Sequence, residues 1–156
     1  MSVDQDGKPA YVCGPLTELA PNVQAEVKTF YSAIADACKE IMGIRAFVPH
    51  EHFDPEKHAH FTPEQVDEAE RNQVCNETSL LIVVAIAPSW GGGIEVEMAY
   101  CNDVPAIVLH PHEKRVSRLL LGNPAVRNGA VVSYHNYDQA IRRLRLEISK
   151  MIVYAA

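Results

Sequence analysis

One stretch limits what this chain can fold into. Leu80-Leu81-Ile82-Val83-Val84 is apolar at every position, without the alternation of a strand that keeps one face wet. A strand covered on both faces by helices reads this way, which is the setting of a parallel sheet. Pro88-Ser89-Trp90-Gly91-Gly92-Gly93 follows, and Ile94 to Cys101 is then a run of good helix formers. The expected unit is strand, sharp glycine turn, helix, with Glu95 in the first helical turn. Open α/β sheets bind ligands at the carboxyl ends of their strands, where helix N-termini present free amides. Glu95 is either aimed at such a ligand or is a first-turn glutamate favoured by the helix dipole, an effect worth a few tenths of a kcal/mol. The triple glycine does not match the phosphate loop GxxxxGK[ST].

The rest of the chain repeats the alternation. Ala10-Tyr11-Val12-Cys13 is a short strand broken by Gly14-Pro15. Pro21 and Asn22 open a helix in which Val23, Val27, Phe30, Ile34, Ala37, Cys38 and Ile41 recur at three- and four-residue intervals, with Gly43 as its C-cap. Ala46-Phe47-Val48 reads as a second strand, stopped by Pro49. Thr62-Pro63-Glu64-Gln65 is a capping box with proline at the first helical position. After the central unit come a strand at Ala106 to Leu109, a short helix at Val116 to Leu121, a strand at Ala130 to Tyr134, and a final helix capped by Asn136. Strands alternating with helices through short connections predict a single-domain, doubly wound, flavodoxin/Rossmann-like α/β fold. Its parallel sheet should have five strands in the order 2-1-3-4-5. Residues 1–8 are expected to be a flexible tail, and residues 9–156 the domain.

Charge and cysteine usage narrow the function. A formal charge of -6 argues against binding nucleic acid or an anionic membrane through general electrostatics. No apolar run reaches membrane-spanning length, and the N-terminus lacks a signal-peptide core. Cys13, Cys38, Cys75 and Cys101 lack CxxC spacing and sit in apolar contexts, as reduced thiols of a cytoplasmic protein would. The polar segment from His50 to Thr62 carries His50, His52, His58 and His60. Two H-x-H pairs suggest a metal, but no cysteine or HExxH pattern supports one, so the segment is read as a solvated lid without metal. No cofactor is expected.

Two separated motifs resemble the nucleoside 2-deoxyribosyltransferase superfamily, and within it the branch of nucleoside 5′-monophosphate N-glycosidases. Tyr11-Val12-Cys13-Gly14-Pro15 is similar to the opening Y-x-x-G-S. Pro88-Ser89-Trp90-Gly91-Gly92-Gly93-Ile94-Glu95 is similar to P-S-x-G-x-G-x-E, and Arg115 to Gly122 resembles a serine-bearing helix after the fourth strand. The resemblance implies cleavage of an N-glycosidic bond by a carboxylate nucleophile, Glu95, with Tyr11 on the sugar side. Breaking that bond places positive charge on C1′, which an ionised carboxylate can stabilise or capture. The alternative for Tyr11 is a strand aromatic packed in the core.

The resemblance further implies that Ser89, the Gly91 and Gly93 amides and Ser117 bind the 5′-phosphate. Ser117 would come from a second subunit of a homodimer with shared active sites, unless it is an ordinary surface serine. Gly14 belongs to the first motif. Pro15 stands where the family has serine, and Thr17 is the nearest replacement hydroxyl. The family's aspartate before the third strand aligns with Arg71, or after a one-residue shift with Asn72. The activity implied is hydrolysis of a nucleoside 5′-monophosphate, ribo or 2′-deoxy. Its rivals are a nucleobase-exchanging deoxyribosyltransferase and a non-catalytic nucleotide sensor on the same fold.

Overall fold

The computed structural model describes residues 7–155, so the expected tail lies largely outside the described residues. Four parallel strands form the sheet, β1 (Ala10–Cys13), β2 (Leu80–Val84), β3 (Ala106–Pro111) and β4 (Ala130–Tyr134), in the spatial order β1-β2-β3-β4. Seven helices accompany them: α1 (Pro21–Met42), α2 (Pro49–Phe53), α3 (Pro63–Asn76), α4 (Trp90–Cys101), α5 (Arg118–Gly122), α6 (Pro124–Arg127) and α7 (Tyr137–Ala155). Among the described residues the sheet therefore has four strands, not the expected five. The segment at Ala46–Val48 contributes one parallel bridge, Phe47 to Tyr11, on the edge of β1 away from β2. Phe47 satisfies the Val12 N–H and the Ala10 carbonyl. Pairing stops there because Pro49, which has no N–H, opens α2 two residues later. That helix and α6 are elements the sequence reading left as loop.

Side-chain parity divides the core. Ala10, Val12, Leu80, Ile82, Val84, Ile107 and Leu109 pack beneath α1 and α7. Tyr11, Cys13, Leu81, Val83, Ala106 and Val108 pack with residues of α3, α4 and α6 on the other face. β2 is buried along its whole length, as its unbroken apolar run requires. Both Tyr11 and Cys13 are thereby committed to the face that carries α4.

The expected caps are present. Gly43 ends α1 in the left-handed region at φ 80°, Thr62 and Gln65 close the capping box of α3, and Asn136 Oδ1 accepts the Gln139 amide ahead of α7. Gly129, just before β4, is a different case. A Cβ there would lie 1.9 Å from the Ala106 carbonyl oxygen, a backbone contact that no rotamer change relieves. Gly129→Ala should therefore destabilise the protein by about 3 kcal/mol or more, the upper range for overpacking. Urea unfolding of the two proteins measures this difference.

Candidate active site

The α4 N-terminus is planted at the carboxyl end of β2 by Ser89. The Ser89 hydroxyl oxygen accepts the Gly92 amide at 3.1 Å, and its carbonyl accepts the Gly93 amide at 3.2 Å. The helix consequently begins at Trp90, not Ile94, and the three glycines form its first turn. None of them has a positive φ, so the expected sharp glycine turn is replaced by helix. Glu95 sits in the second turn, beyond the stretch where the dipole acts most strongly. The glycines matter for what they leave open. A Cβ on Gly91 or Gly93 would meet nothing within 4 Å, and among the described residues the Trp90 and Gly91 amides have no acceptor.

Glu95 turns inward from this helix and meets β1. Tyr11 Oη donates to Glu95 Oε1 at 2.5 Å, with both residues buried. This bond, and the Cys13 thiol beside it, favour the charged form, but burial outweighs them. Burial, the Tyr11 bond acting against it and the nearby charge of Glu70 together leave the Glu95 pKa raised from 4.5 to about 8. Burial and the Glu95 charge hold the Tyr11 proton far above its ordinary range, so Tyr11 remains a donor.

Glu70 is the site residue that the sequence reading missed. Val66, Glu70 and Val74 are spaced four apart on α3 and so share one face. Val74 enters the core, while Val66 and Glu70 line the cleft at Glu95. Burial, with a contribution from Asp67, raises Glu70 to about 7. The four-residue spacing was the available signal. Asn72, by contrast, is exposed on α3, accepts a hydrogen bond from Asn76 and lies outside the cleft.

Three cavities surround these groups. The first, about 370 Å³, is bordered by Gly14, Thr17, His50, Glu70, Ser89, Gly91 and Glu95. The second, about 500 Å³, shares Glu70, Gly91 and Glu95 and continues beneath Phe53, His58 and Phe61. The third, about 740 Å³, lies beyond Ser89 and is lined by Gly93, Lys114, Arg115 and Ser117. Glu95, Gly14, Thr17, Ser89 and Gly91 thus meet in one cleft above Tyr11, while Gly93 and Ser117 face the adjoining cavity. At Gly14 a Cβ would lie 2.4 Å from Tyr31 Oη, whose hydroxyl donates to the Pro15 carbonyl at 2.7 Å and fixes this loop.

The histidine segment borders the cavities, with His52 and His60 exposed and His50 and His58 half-buried. His50 borders the first cavity with Nδ1 buried and unpartnered. His52 stacks on Phe47 with ring centroids 4.5 Å apart, and His60 packs on Phe61 at 4.3 Å. His58 Nδ1 accepts the Asp54 amide at 3.0 Å. Among the described residues no three His, Cys, Asp or Glu side chains converge as a metal site would require.

No protein-family model matches the sequence, and no curated protein matches it as a relative. A solved structure does match in three dimensions, that of the Clostridium botulinum CMP N-glycosidase BcmB. The TM-score is 0.66 at 18% identity, over 89% of this chain and 98% of that one. The likeness is one of fold, an α/β chain built on a parallel sheet. Among the described residues no helix is long and apolar enough to cross a membrane.

The raised pKa of Glu95 has a stability consequence. Its folded value lies above its unfolded one, so the folded state binds the extra proton, and the associated stability is present below pH 4.5 and lost as pH rises to about 8. Glu95→Gln keeps the shape and the Tyr11 bond without that loss. Urea unfolding should find the variant and wild type similar near pH 5 and the variant more stable at pH 8, by on the order of 3–4 kcal/mol. A gap that does not change with pH would mean that the Glu95 carboxyl is not raised.

Proposed function

We propose that this cleft hydrolyses the N-glycosidic bond of a nucleoside 5′-monophosphate, ribo or 2′-deoxy, giving a free base and a sugar 5-phosphate. The observation that carries the reading is the buried Tyr11–Glu95 hydrogen bond at the floor of a cleft that opens at a helix N-terminus. The likeness of fold to a CMP N-glycosidase supports the same class of bond.

Glu95, as carboxylate, attacks C1′ or stabilises the positive charge that grows there. Tyr11 holds one Glu95 oxygen and so orients the other toward the sugar. Glu70, in its protonated form, donates to the departing base. It then takes the proton of the water that resolves the glycosyl-enzyme, the exchange of roles seen in retaining glycosidases. Because the Ser89 oxygen already accepts the Gly92 amide, its proton is free to donate to a phosphate oxygen beside the Trp90 and Gly91 amides.

We place Ser117 at the phosphate from the second subunit of a homodimer. Trp90 and Leu119, 91% and 86% exposed beside the Ser117 cavity, supply apolar surface for that pairing. Thr17 and Gly14 border the sugar end. Cys13, Cys38, Cys75 and Cys101 are free thiols, in keeping with a cytoplasmic setting.

Base release from a panel of nucleoside monophosphates and their free nucleosides tests the reading. The monophosphate should exceed its nucleoside by about 100-fold or more in kcat/KM, from two charge-assisted hydrogen bonds of roughly 1.5–3 kcal/mol each. Glu95→Gln should lower turnover by hundreds-fold or more while nucleotide binding persists, on the order of what one electrostatic contact contributes. Equal rates on nucleoside and monophosphate would favour the transferase, and tight binding without base release the sensor.

The pH profile is a separate test. Activity needs Glu95 ionised and Glu70 protonated; with Glu95 raised to about 8 and Glu70 to about 7, that arrangement is the minor form of the singly protonated pair, roughly a tenth of it. The pair should therefore give a narrow bell in kcat/KM, rising through the first step and falling through the second. Glu70→Gln should remove the alkaline limb and lower the rate by about 100-fold. An unchanged profile would exclude Glu70 as the proton donor.

A further inference from the structure

The wall formed by residues 53–61 has an unusual footing. It borders both cavities at Glu95, through Phe53 and Pro55 in the two of them and His58 and Phe61 in the second. None of these residues belongs to either hydrophobic cluster that packs on the sheet. Phe53 and Phe61 instead pack edge-on against each other, with ring centroids 5.4 Å apart. Between the end of α2 at Phe53 and the start of α3 at Pro63 the chain has no regular element to hold it. Apolar burial in the main core therefore cannot fix this wall.

Asp54 can. Its side chain is 2% exposed in a segment that is otherwise polar and open, and Lys28 of α1 donates to Asp54 Oδ2 at 2.5 Å. Asp54 Oδ1 accepts the amides of Glu56 at 2.9 Å and Lys57 at 3.3 Å, folding the loop back on itself. The Asp54 amide donates to His58 Nδ1, and its carbonyl accepts the His58 amide at 2.8 Å. One side chain thus ties the loop both to itself and to α1. A buried carboxylate with one cation and two amides is satisfied, whereas the loss of one partner leaves an uncompensated charge or donor.

We infer that Asp54 is a positioning residue for substrate binding, latching segment 53–61 to α1 through Lys28 and so setting how tightly the cleft holds its nucleotide. The inference rests on the nucleotide reading above but acts through binding, not through chemistry. Asp54 touches no reacting group, so releasing the latch should loosen the wall while Glu95, Tyr11 and Glu70 stay in place.

Two variants test it, Asp54→Asn and, in case that one does not fold, Lys28→Met. Three readouts apply: steady-state kinetics with the best monophosphate of the panel, the dissociation constant of that monophosphate measured on the Glu95→Gln background, and amide hydrogen exchange of the free protein. Both variants should raise KM and the dissociation constant about tenfold or more, leave kcat within about threefold, and speed exchange at residues 56–61 alone. Lys28→Arg, which keeps the cation, should bring both constants back to near wild type. Unchanged KM and dissociation constant, or a fall in kcat at constant KM, would overturn the inference. So would faster exchange spread through α1 and the sheet, which would make Asp54 a general stabiliser. A wild-type protein that binds monophosphates but releases no base would sink the hydrolase reading and leave the binding and exchange measurements to decide on the latch.

Discussion

The hydrogen bond from Tyr11 to Glu95 joins two residues 84 positions apart, and most of the architecture can be read as the means of bringing them together. Tyr11 reaches the correct face because odd-numbered residues of β1 point toward α3 and α4. Glu95 reaches it because Ser89 starts α4 at the end of β2, which is the direct neighbour of β1. A one-residue slip in β1 would place Val12 beneath Glu95 and Tyr11 under α1. Continuous burial of β2 protects the register on one side, and the Phe47 bridge protects it on the other.

The electrostatics of the cleft are set by what is missing from its walls as much as by what is there. Among the described residues no Lys or Arg side chain borders the two cavities at Glu95, while Glu70 and Glu95 border both. Burial raises both the buried Glu95 and the half-buried Glu70, and the charge of Glu70 adds to the rise at Glu95, so the two carboxyls keep protons to near-neutral pH with no cation between them. The cations Lys114 and Arg115 lie in the adjoining third cavity. An acidic region and a basic one thus lie on either side of the Ser89 turn.

Much of this was legible in the sequence, and the exceptions have physical causes. The apolar run at 80–84 announced a doubly covered strand, and the caps at Gly43, Thr62 and Asn136 marked helix ends, because these signals depend on neighbours in sequence. Phe47 was misread as part of a strand because three suitable residues suffice for a pattern, whereas a strand also needs partners along its length. The start of α4 was misplaced because glycine suggests a turn, and only the Ser89 cap, a contact three residues long, shows that helix forms through it. Glu70 escaped because alignment by counting put weight on Arg71 and Asn72. Burial on a helix face follows a period of 3.6 residues, and that period selects position 70. The exposure of His52 and His60 fits the solvated segment read from composition, whereas the aromatic stacking and the Asp54 hydrogen bonds belong to the tertiary structure and leave no mark in spacing.

A helix whose first turn reads Trp-Gly-Gly-Gly is the most weakly wound stretch of α4. Each glycine is less favourable than alanine by about 1 kcal/mol in a helix interior, and somewhat less near an end. Ser89 recovers part of this, and the free amides of the turn recover none while water is their only partner. An anion seated on those amides would act as the missing end-group of the helix. Winding of this turn and affinity for the anion would then be a single equilibrium seen from two sides, so that any substitution favouring the helix would also tighten binding and slow release.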